Sequence, residues 1–398
     1  MMHEKIIIIG AGISGLVCGI LLQQAGVQVE IFEQRASVNP IGGGFGLWPN
    51  GTQVLLSLPC ADKIFALAAK ITHDRFGDAN GNTLAIMSRD IFQNINGFPV
   101  LNICRSELHD ILLTEFDREN IHFEKKLISI QNTENQAIAF MENGDKHIAD
   151  LIIGADGIYS AVRKNILPHI NLHYTGYIQL LGILRGPDKF DHHFVWGKNR
   201  YSIVFPIADK RCLIYQALPY EANTIKKLAT RQDKIALFRG WAHEVDSVLD
   251  VYEKSLSDPD MQGHFFCDEA YYSEPFTPWY AGRTVLIGDA AHPMGSIYGL
   301  AANVALEDTH ALVDFLQKEM HVETALIKYQ QFQQPRATGF FQLEQAVTQF
   351  LLHADEKEYN DFLFAIKSQP AEIFNQQLIS LLQRTYKNVE PSSKVVNN

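Results

Sequence analysis

The pattern of apolar and polar positions divides the chain into two alternating textures. Lys5-Ile6-Ile7-Ile8-Ile9 is apolar on both faces and β-branched, which predicts a central parallel strand buried under helices. Gly10-Ala11-Gly12-Ile13-Ser14-Gly15 follows at once, then apolar residues at helical spacing from Leu16 to Ala25, closed by Gly26. Val27 to Phe32 is a second apolar strand and ends on an acid, Glu33. A helical stretch is predicted over Thr52 to Leu58. Ile71 to Val100 reads as β-like and turn-rich, with a turn at Asp78-Ala79-Asn80-Gly81-Asn82. Arg105-Ser106-Glu107-Leu108 opens a helix to about Asn120, with Ser106 as its N-cap. Ile138 to Met141 alternates and runs into a turn at Glu142-Asn143-Gly144-Asp145. Ala149 to Gly157 is a buried strand ending in small residues and an acid, continued by a short helix from Ser160 to Arg163.

From about Tyr174 to Phe266 the texture changes to aromatic-rich strands at Tyr177 to Leu184, His193 to Trp196, Tyr201 to Pro206 and Arg211 to Leu218. A charged helix is predicted over Ala222 to Trp241. The first texture then returns: a buried strand at Thr284 to Ile287, a tight turn at Gly288-Asp289-Ala290-Ala291-His292-Pro293, and a helix from Ala302 to Phe315. From about Glu319 the tail is helical, and Pro391 to Asn398 is predicted to be disordered. The expected fold is α/β: a nucleotide-binding domain with a parallel sheet, a smaller antiparallel-sheet substrate domain with a pocket between them, and a C-terminal helical tail. Residues 1–70, 101–173 and 270–345 are assigned to the first domain, and 71–100 and 174–269 to the second. Residues 346–390 form the helical segment and 391–398 the tail.

Composition narrows the class. With 398 residues, 46% hydrophobic and 20% charged, the chain reads as a globular protein of two ordinary domains. A net charge of −11 argues against a nucleic-acid partner, because no basic surplus exists to neutralise phosphates. No apolar run is long enough to cross a bilayer, and the first strand begins too early to leave room for a cleavable signal. Cys18, Cys60, Cys104, Cys212 and Cys267 lie far apart without metal-ligand spacing. They suggest reduced thiols in a cytoplasmic protein and no metal site.

The chemistry begins at the first turn. Gly10 allows a tight turn, Gly12 lets a pyrophosphate approach the main chain, and Gly15 lets helix and strand pack closely. The helix start presents free N–H groups to an anion, and Glu33 is placed to accept from a ribose diol. A strand–turn–helix–strand–acid unit is more specific than glycines alone and points to a dinucleotide; these residues leave NAD and FAD both open. The run Gly42 to Gly44 suits main chain lying against a flat ligand or a flexible loop equally. Arg105 is either a solvated helix-end charge or a cation turned to a cofactor. Asp156 follows a buried strand at the edge where ligands bind in open parallel sheets.

Three separated stretches together resemble the class A flavoprotein monooxygenases, the aromatic hydroxylase family. They are Gly10 to Gly15 with Glu33-Gln34-Arg35, then Asp150 to Gly157 with Ser160 and Arg163, then Gly288 to Pro293. Leu47-Trp48-Pro49-Asn50-Gly51 and the Arg105 helix start resemble the branch that holds FAD-dependent urate hydroxylase and the salicylate and 3-hydroxybenzoate hydroxylases. The resemblance spans about residues 5 to 345 and implies a p-hydroxybenzoate hydroxylase-like fold with bound FAD. It implies that Gly10, Gly12, Ile13, Ser14 and Gly15 line the pyrophosphate, with Glu33, Gln34 and Arg35 at the adenosine ribose. It further implies contacts from Gly43, Gly44, Arg105, Asp156, Gly157, Gly288 and Asp289. Gly299, Ala301, Ala302 and Asn303 would bring N–H groups to the flavin pyrimidine end, where they stabilise charge on the reduced ring.

The family's activity is implied as well. NAD(P)H docks without a Rossmann domain of its own, O2 reacts at the reduced flavin to give a C4a-hydroperoxide, and a small aromatic, heterocyclic or polyketide-like substrate is hydroxylated or epoxidised. Alternatives are a flavin enzyme that inactivates a tetracycline-type antibiotic, and a flavin-binding protein or reductase without oxygenase activity. One turn departs from the family pattern. Ser296 stands where proline is usual, and Gly299-Leu300-Ala301 stands for Gly-Gln-Gly. On the substrate sheet, Arg200 and Tyr215 are the candidate catalytic residues; an exposed strand-start charge and an ordinary sheet tyrosine are the competing readings. The tail helix is read as a cap on the nucleotide domain, and the protein as a monomer or homodimer.

Overall fold

A computed structural model describes residues 5–37, 43–185, 192–258, 264–368 and 376–383. The run of isoleucines folds as expected: Lys5–Ile9 is flanked in parallel by Gln28–Phe32 and Leu151–Gly154, with Ile6 level with Val29 and Leu151. Thr284–Leu286 and Ile121–His122 extend the sheet on either side in parallel, and Tyr280–Ala281 closes one edge antiparallel. Ile6, Ile7 and Ile8 are fully buried, since the helix Ile13–Gln24 packs on this sheet and the small antiparallel sheet of Leu127–Asn132, Ala137–Met141 and Lys146–Ala149 packs on it as well.

A second sheet of seven strands carries the aromatic texture. Its order is Phe265–Tyr272, His173–Arg185, Arg211–Pro219, Arg200–Ile207, His193–Gly197, His73–Asp78 and Thr83–Ser88. All neighbours are antiparallel except His193–Gly197 on His73–Asp78. Alternation sends Val204, Ile214 and Leu180 to one face, where they pack on Leu249 and Tyr252 of the helix His243–Ser255. Tyr201, Ile203, Phe205 and Tyr215 point to the other face, towards the first domain.

Local differences from the sequence reading have physical causes. The charged stretch from Ala222 to Trp241 is not one helix: Thr230 and Asp233 form a capping box that starts the short helix Arg231–Ala236. The longer helix lies beyond it, where Val245, Leu249 and Tyr252 recur at helical spacing. The helix after Leu101–Cys104 runs Arg105–Glu115 with Cys104 at the N-cap, so Ser106 lies within it. Ser106 Oγ pairs with Cys104 Sγ instead (3.0 Å).

The tail does more than cap the nucleotide domain. Val322–His353 packs along Ala301–Lys318, but its far end and the next helix, Glu356–Ser368, reach the second sheet. Phe362 lies 4.9 Å from the Trp196 ring and 4.1 Å from Phe350. The stretch 391–398 lies outside the described residues.

Candidate active site

One cavity of about 580 Å³ runs from the carboxyl ends of the parallel strands to the inner face of the second sheet. Its first end is walled by main chain. Gly12, Ile13 and Ser14 line it at the start of Ile13–Gln24, whose N-terminus has no side-chain cap. A Cβ on Gly12 would meet no atom within 4 Å, so open space lies directly over these N–H groups. The start of Ala301–Lys318, also without a side-chain cap, faces the same space through Ala301 and Ala302. Two helix N-termini therefore direct partial positive charge into one cavity.

Charged side chains complete this end. Arg105 is ringed by protein yet open to the cavity; burial lowers its pKa against the opposing pull of Asp289. Burial raises the Asp289 pKa, opposed by His292, Arg105 and Arg163. Gly43, Gly44, Gly157 and Gly299 line the cavity as well. Gly299 has φ +67, the left-handed value a glycine adopts without strain. Ala301 is helical, so its Cβ, in place of the usual glycine, costs no strain.

Other residues singled out by sequence stand behind this wall. Gly10 and Gly15 pack against each other and on Ala155: a Cβ on Gly15 would lie 2.0 Å from the Gly10 carbonyl oxygen. Glu33 accepts from the N–H groups of Ala11 (3.1 Å) and Arg35 (3.0 Å), while Gln34 and Arg35 are exposed beyond it. The Asp156 carboxylate caps the next helix, accepting from Ala161 N (2.6 Å), Val162 N (3.0 Å) and Ser160 Oγ (2.5 Å). Gly288 N donates to Asp308 Oδ2 (2.8 Å), which also lies 2.5 Å from His292 Nε2. Asn303 is fully buried and spends its amide on main chain: it accepts from Trp48 N (2.9 Å) and donates to Gly46 O (3.0 Å) and Gly299 O (3.1 Å). These residues shape the loops that face the cavity.

The second end is walled by side chains. Phe76, Phe194, Trp196, Tyr201, Phe205 and Tyr215 come from the sheet, and Val347, Phe350 and Phe362 from the tail. Tyr215 OH meets Ser296 Oγ at 3.2 Å, and Ser296 Oγ also bonds Gln179. Ser296 N donates to Tyr177 OH (3.1 Å), a bond that proline could not make. The turn is held from behind by Glu344, which is fully buried and accepts from Ile297 N (2.6 Å) and Tyr298 N (3.0 Å). Desolvation pushes the Glu344 carboxyl up to about 7.

Arg200 stands apart from this wall. Its guanidinium donates to Leu237 O (3.2 Å), away from the cavity, because the odd residues of this strand are the ones that face inward. Sequence reasoning also missed a buried cluster at the same end. Asp74 (1% exposed) accepts from Arg89 Nε at 2.5 Å and pairs with His192 Nδ1. The Arg89 guanidinium lies 4.3 Å over the Trp48 ring. The available signal was weak: three polar residues on separate segments with no shared spacing.

Residues 3–343 match the model of the FAD binding domain family. The chain belongs to that family. FAD-dependent urate hydroxylase from Mycolicibacterium vanbaalenii is 28% identical over 348 residues, covering 84% of this chain and 85% of its own. Klebsiella pneumoniae HpxO, solved with FAD and uric acid, superposes with a TM-score of 0.86 at 21% identity, over 95% of this chain and 96% of that one. The tetracycline destructase Tet(55) shares the fold at TM-score 0.70 and 19% identity, over 92% of this chain and 97% of that one.

As a family member the chain is an FAD-dependent monooxygenase, and NAD(P)H is the reductant typical of the family. The first end of the cavity fits FAD: uncapped helix starts and open space over Gly12 suit a pyrophosphate, and Arg105 with Asp289 offers both signs of charge to its polar groups. Among the described residues, no group of His, Cys, Asp and Glu could hold a metal. No helix there is long and apolar enough to cross a membrane.

Proposed function

We propose that this chain oxygenates a small planar molecule, an aromatic or heterocyclic ring, stacked in the side-chain-walled end of the cavity. The observation that carries this reading is the aromatic lining that begins where the main-chain wall ends. Phe76 and Phe194 stack at 4.8 Å, and Trp196 lies 4.9 Å from Phe76. Such walls favour offset contact with a flat ring.

In this reading Gly12, Ile13 and Ser14 bind the pyrophosphate, assisted by the helix start they form. Glu33 orders the ribose end through the loop it ties, and Asp289 accepts from the ribityl chain. The N–H groups near Gly299 to Ala302 hold negative charge at the pyrimidine end of the ring. The bound cofactor supplies hydride acceptance and activation of O2; the protein orients the substrate and excludes water. Tyr215, held by Ser296, fixes one edge of the substrate. The five described cysteines are free and buried, which supports a reducing, cytoplasmic setting.

A second reading, a larger fused-ring substrate of the polyketide type, is favoured by the tail. Val347, Phe350, Leu351, Phe362 and Ile366 extend the chamber along the C-terminal helices. The test is NADH and NADPH consumption by FAD-loaded protein with a panel of phenols, purines and tetracyclines, recording O2 uptake and peroxide together. Stimulation by a single-ring or purine compound with little peroxide supports the first reading. Stimulation by tetracyclines alone would replace it with the second.

A further inference from the structure

We propose that His192, oriented by Asp74, is a general base that ionises an acidic hydroxyl on the substrate ring. This rests on the aromatic-substrate reading above. Asp74 and His192 are both over nine-tenths buried and both line the substrate end of the cavity. Burial tends to raise the Asp74 pKa, but Arg89 and His192 outweigh it and hold the carboxyl below its ordinary value. An ionised carboxylate only accepts hydrogen bonds, so the proton between them sits on His192 Nδ1. Nε2 on the far side of the ring then carries a lone pair, and it has no hydrogen-bond partner among the described residues. This is the arrangement in which a carboxylate fixes the tautomer of a histidine base.

The surroundings suit the task. Phe194 and Phe205 pack on the imidazole at 5.0 and 5.3 Å between ring centres and fix its plane. Burial lowers the His192 pKa against the pull of Asp74, with Arg89 and His73 acting in the same direction as burial. The ring is therefore neutral, and able to take a proton, through the physiological range. Tyr201 and Tyr298 also face the cluster, and burial pushes both phenols well up, so neither competes for the proton. The substrate O–H bond breaks, its electron pair stays on oxygen, and the proton passes to Nε2. The imidazolium is held by Asp74 and returns the proton when the product regains a neutral hydroxyl. Arg89, rigid over Trp48, supplies positive charge at the end where the oxyanion forms.

The test uses 4-nitrophenol, whose ionisation is visible by absorbance, with FAD-loaded protein in buffer well below the phenol's solution pKa. Wild type is expected to bind it as the yellow phenolate. His192→Gln, whose amide can still donate to Asp74, is expected to retain FAD and bind it as the neutral phenol. Asp74→Asn is expected to lose the phenolate in the same way. Neutral phenol on the wild type, or phenolate on all three proteins, overturns the inference and leaves the aromatic-substrate reading standing. Absence of binding to wild type overturns both. With a compound that stimulates NAD(P)H oxidation, H192Q should lower kcat/KM about 10²-fold near neutral pH. It should recover as pH passes the compound's own pKa. An equal loss at every pH would mean a merely structural role and overturn the assignment.

Discussion

At the cofactor end the cavity wall is main chain: the turn from Gly12 to Ser14, the loop at Gly43 and Gly44, and the start of the helix at Ala301. At the substrate end it is side chains brought together from the second sheet, the Ser296–Tyr298 turn and the tail. The difference separates what the fold requires from what selectivity requires. A main-chain wall presents N–H groups that any sequence supplies, provided small residues allow the approach. A side-chain wall can change residue by residue without disturbing the loops behind it.

The sharpest way to break this comparison is to alter two glycines of the same turn. Gly15→Ala puts a Cβ 2.0 Å from the Gly10 carbonyl oxygen, a contact with main chain that cannot relax. It is expected to cost about 3 kcal/mol or more by overpacking, and to be recovered, if at all, as destabilised protein without flavin. At Gly12→Val the added Cβ meets open space. It should leave the melting temperature of the apo-protein near wild type while flavin retention falls. Thermal melts of apo-protein and flavin content after gel filtration separate the two; equal Tm losses would erase the distinction between shaping and lining residues. Arg105→Ala belongs with the second kind, and losing a charged hydrogen-bonding group there should weaken FAD by roughly 1.5–3 kcal/mol.

The contrast also explains what was legible. The parallel sheet was readable because four isoleucines with no polar interruption have few other places to fold, and the glycine spacing marks the turn that follows. The wall at the substrate end was not. Tyr201 and Arg200 are neighbours on one strand, and which faces the cavity depends on strand register, set by pairing with distant segments. Asp74, Arg89 and His192 meet because Asp74 lies in His73–Asp78, His192 immediately precedes the neighbouring strand His193–Gly197, and Arg89 precedes the helix Asp90–Asn96. Asn303 was legible as a position but not as a role: its amide bonds main chain at Trp48, Gly46 and Gly299, partners that no local pattern reveals.

Glu344 gives a test at the boundary between the two ends. An acid whose pKa is higher in the folded than in the unfolded state contributes most stability while protonated. Its contribution is full below about pH 4.5 and is lost as pH rises through about 7. Across that window wild type should lose on the order of 3 kcal/mol relative to Glu344→Gln, from a shift between those two values. Urea denaturation at pH 4.5, 6 and 8 checks this. Parallel stabilities at all three would show that the buried carboxyl keeps an ordinary pKa. A smaller effect is expected from Phe362→Ala, which removes the ring packed on Trp196 and Phe350. Aromatic pairs contribute about 0.5–1.5 kcal/mol each, so KM for an accepted substrate should rise several-fold while flavin content stays constant.

The smallest effect should come from Arg200→Ala, and it tests the face assignment of the whole strand. Tyr201, Ile203 and Phe205 line the cavity, whereas Arg200 donates to Leu237 O on the helical side. Removing one hydrogen bond to main chain there should cost about 1 kcal/mol of stability and leave kcat/KM within about twofold, well under one kcal/mol at the transition state. Tyr201→Ala, one residue along, should instead raise KM with little change in Tm beyond the packing loss. A tenfold fall in kcat/KM for R200A would mean that the strand presents its other face to substrate during turnover. The chamber would then be lined by a different set of residues from the one this structure shows, and the position of Arg200 at the head of its strand would be a catalytic one after all.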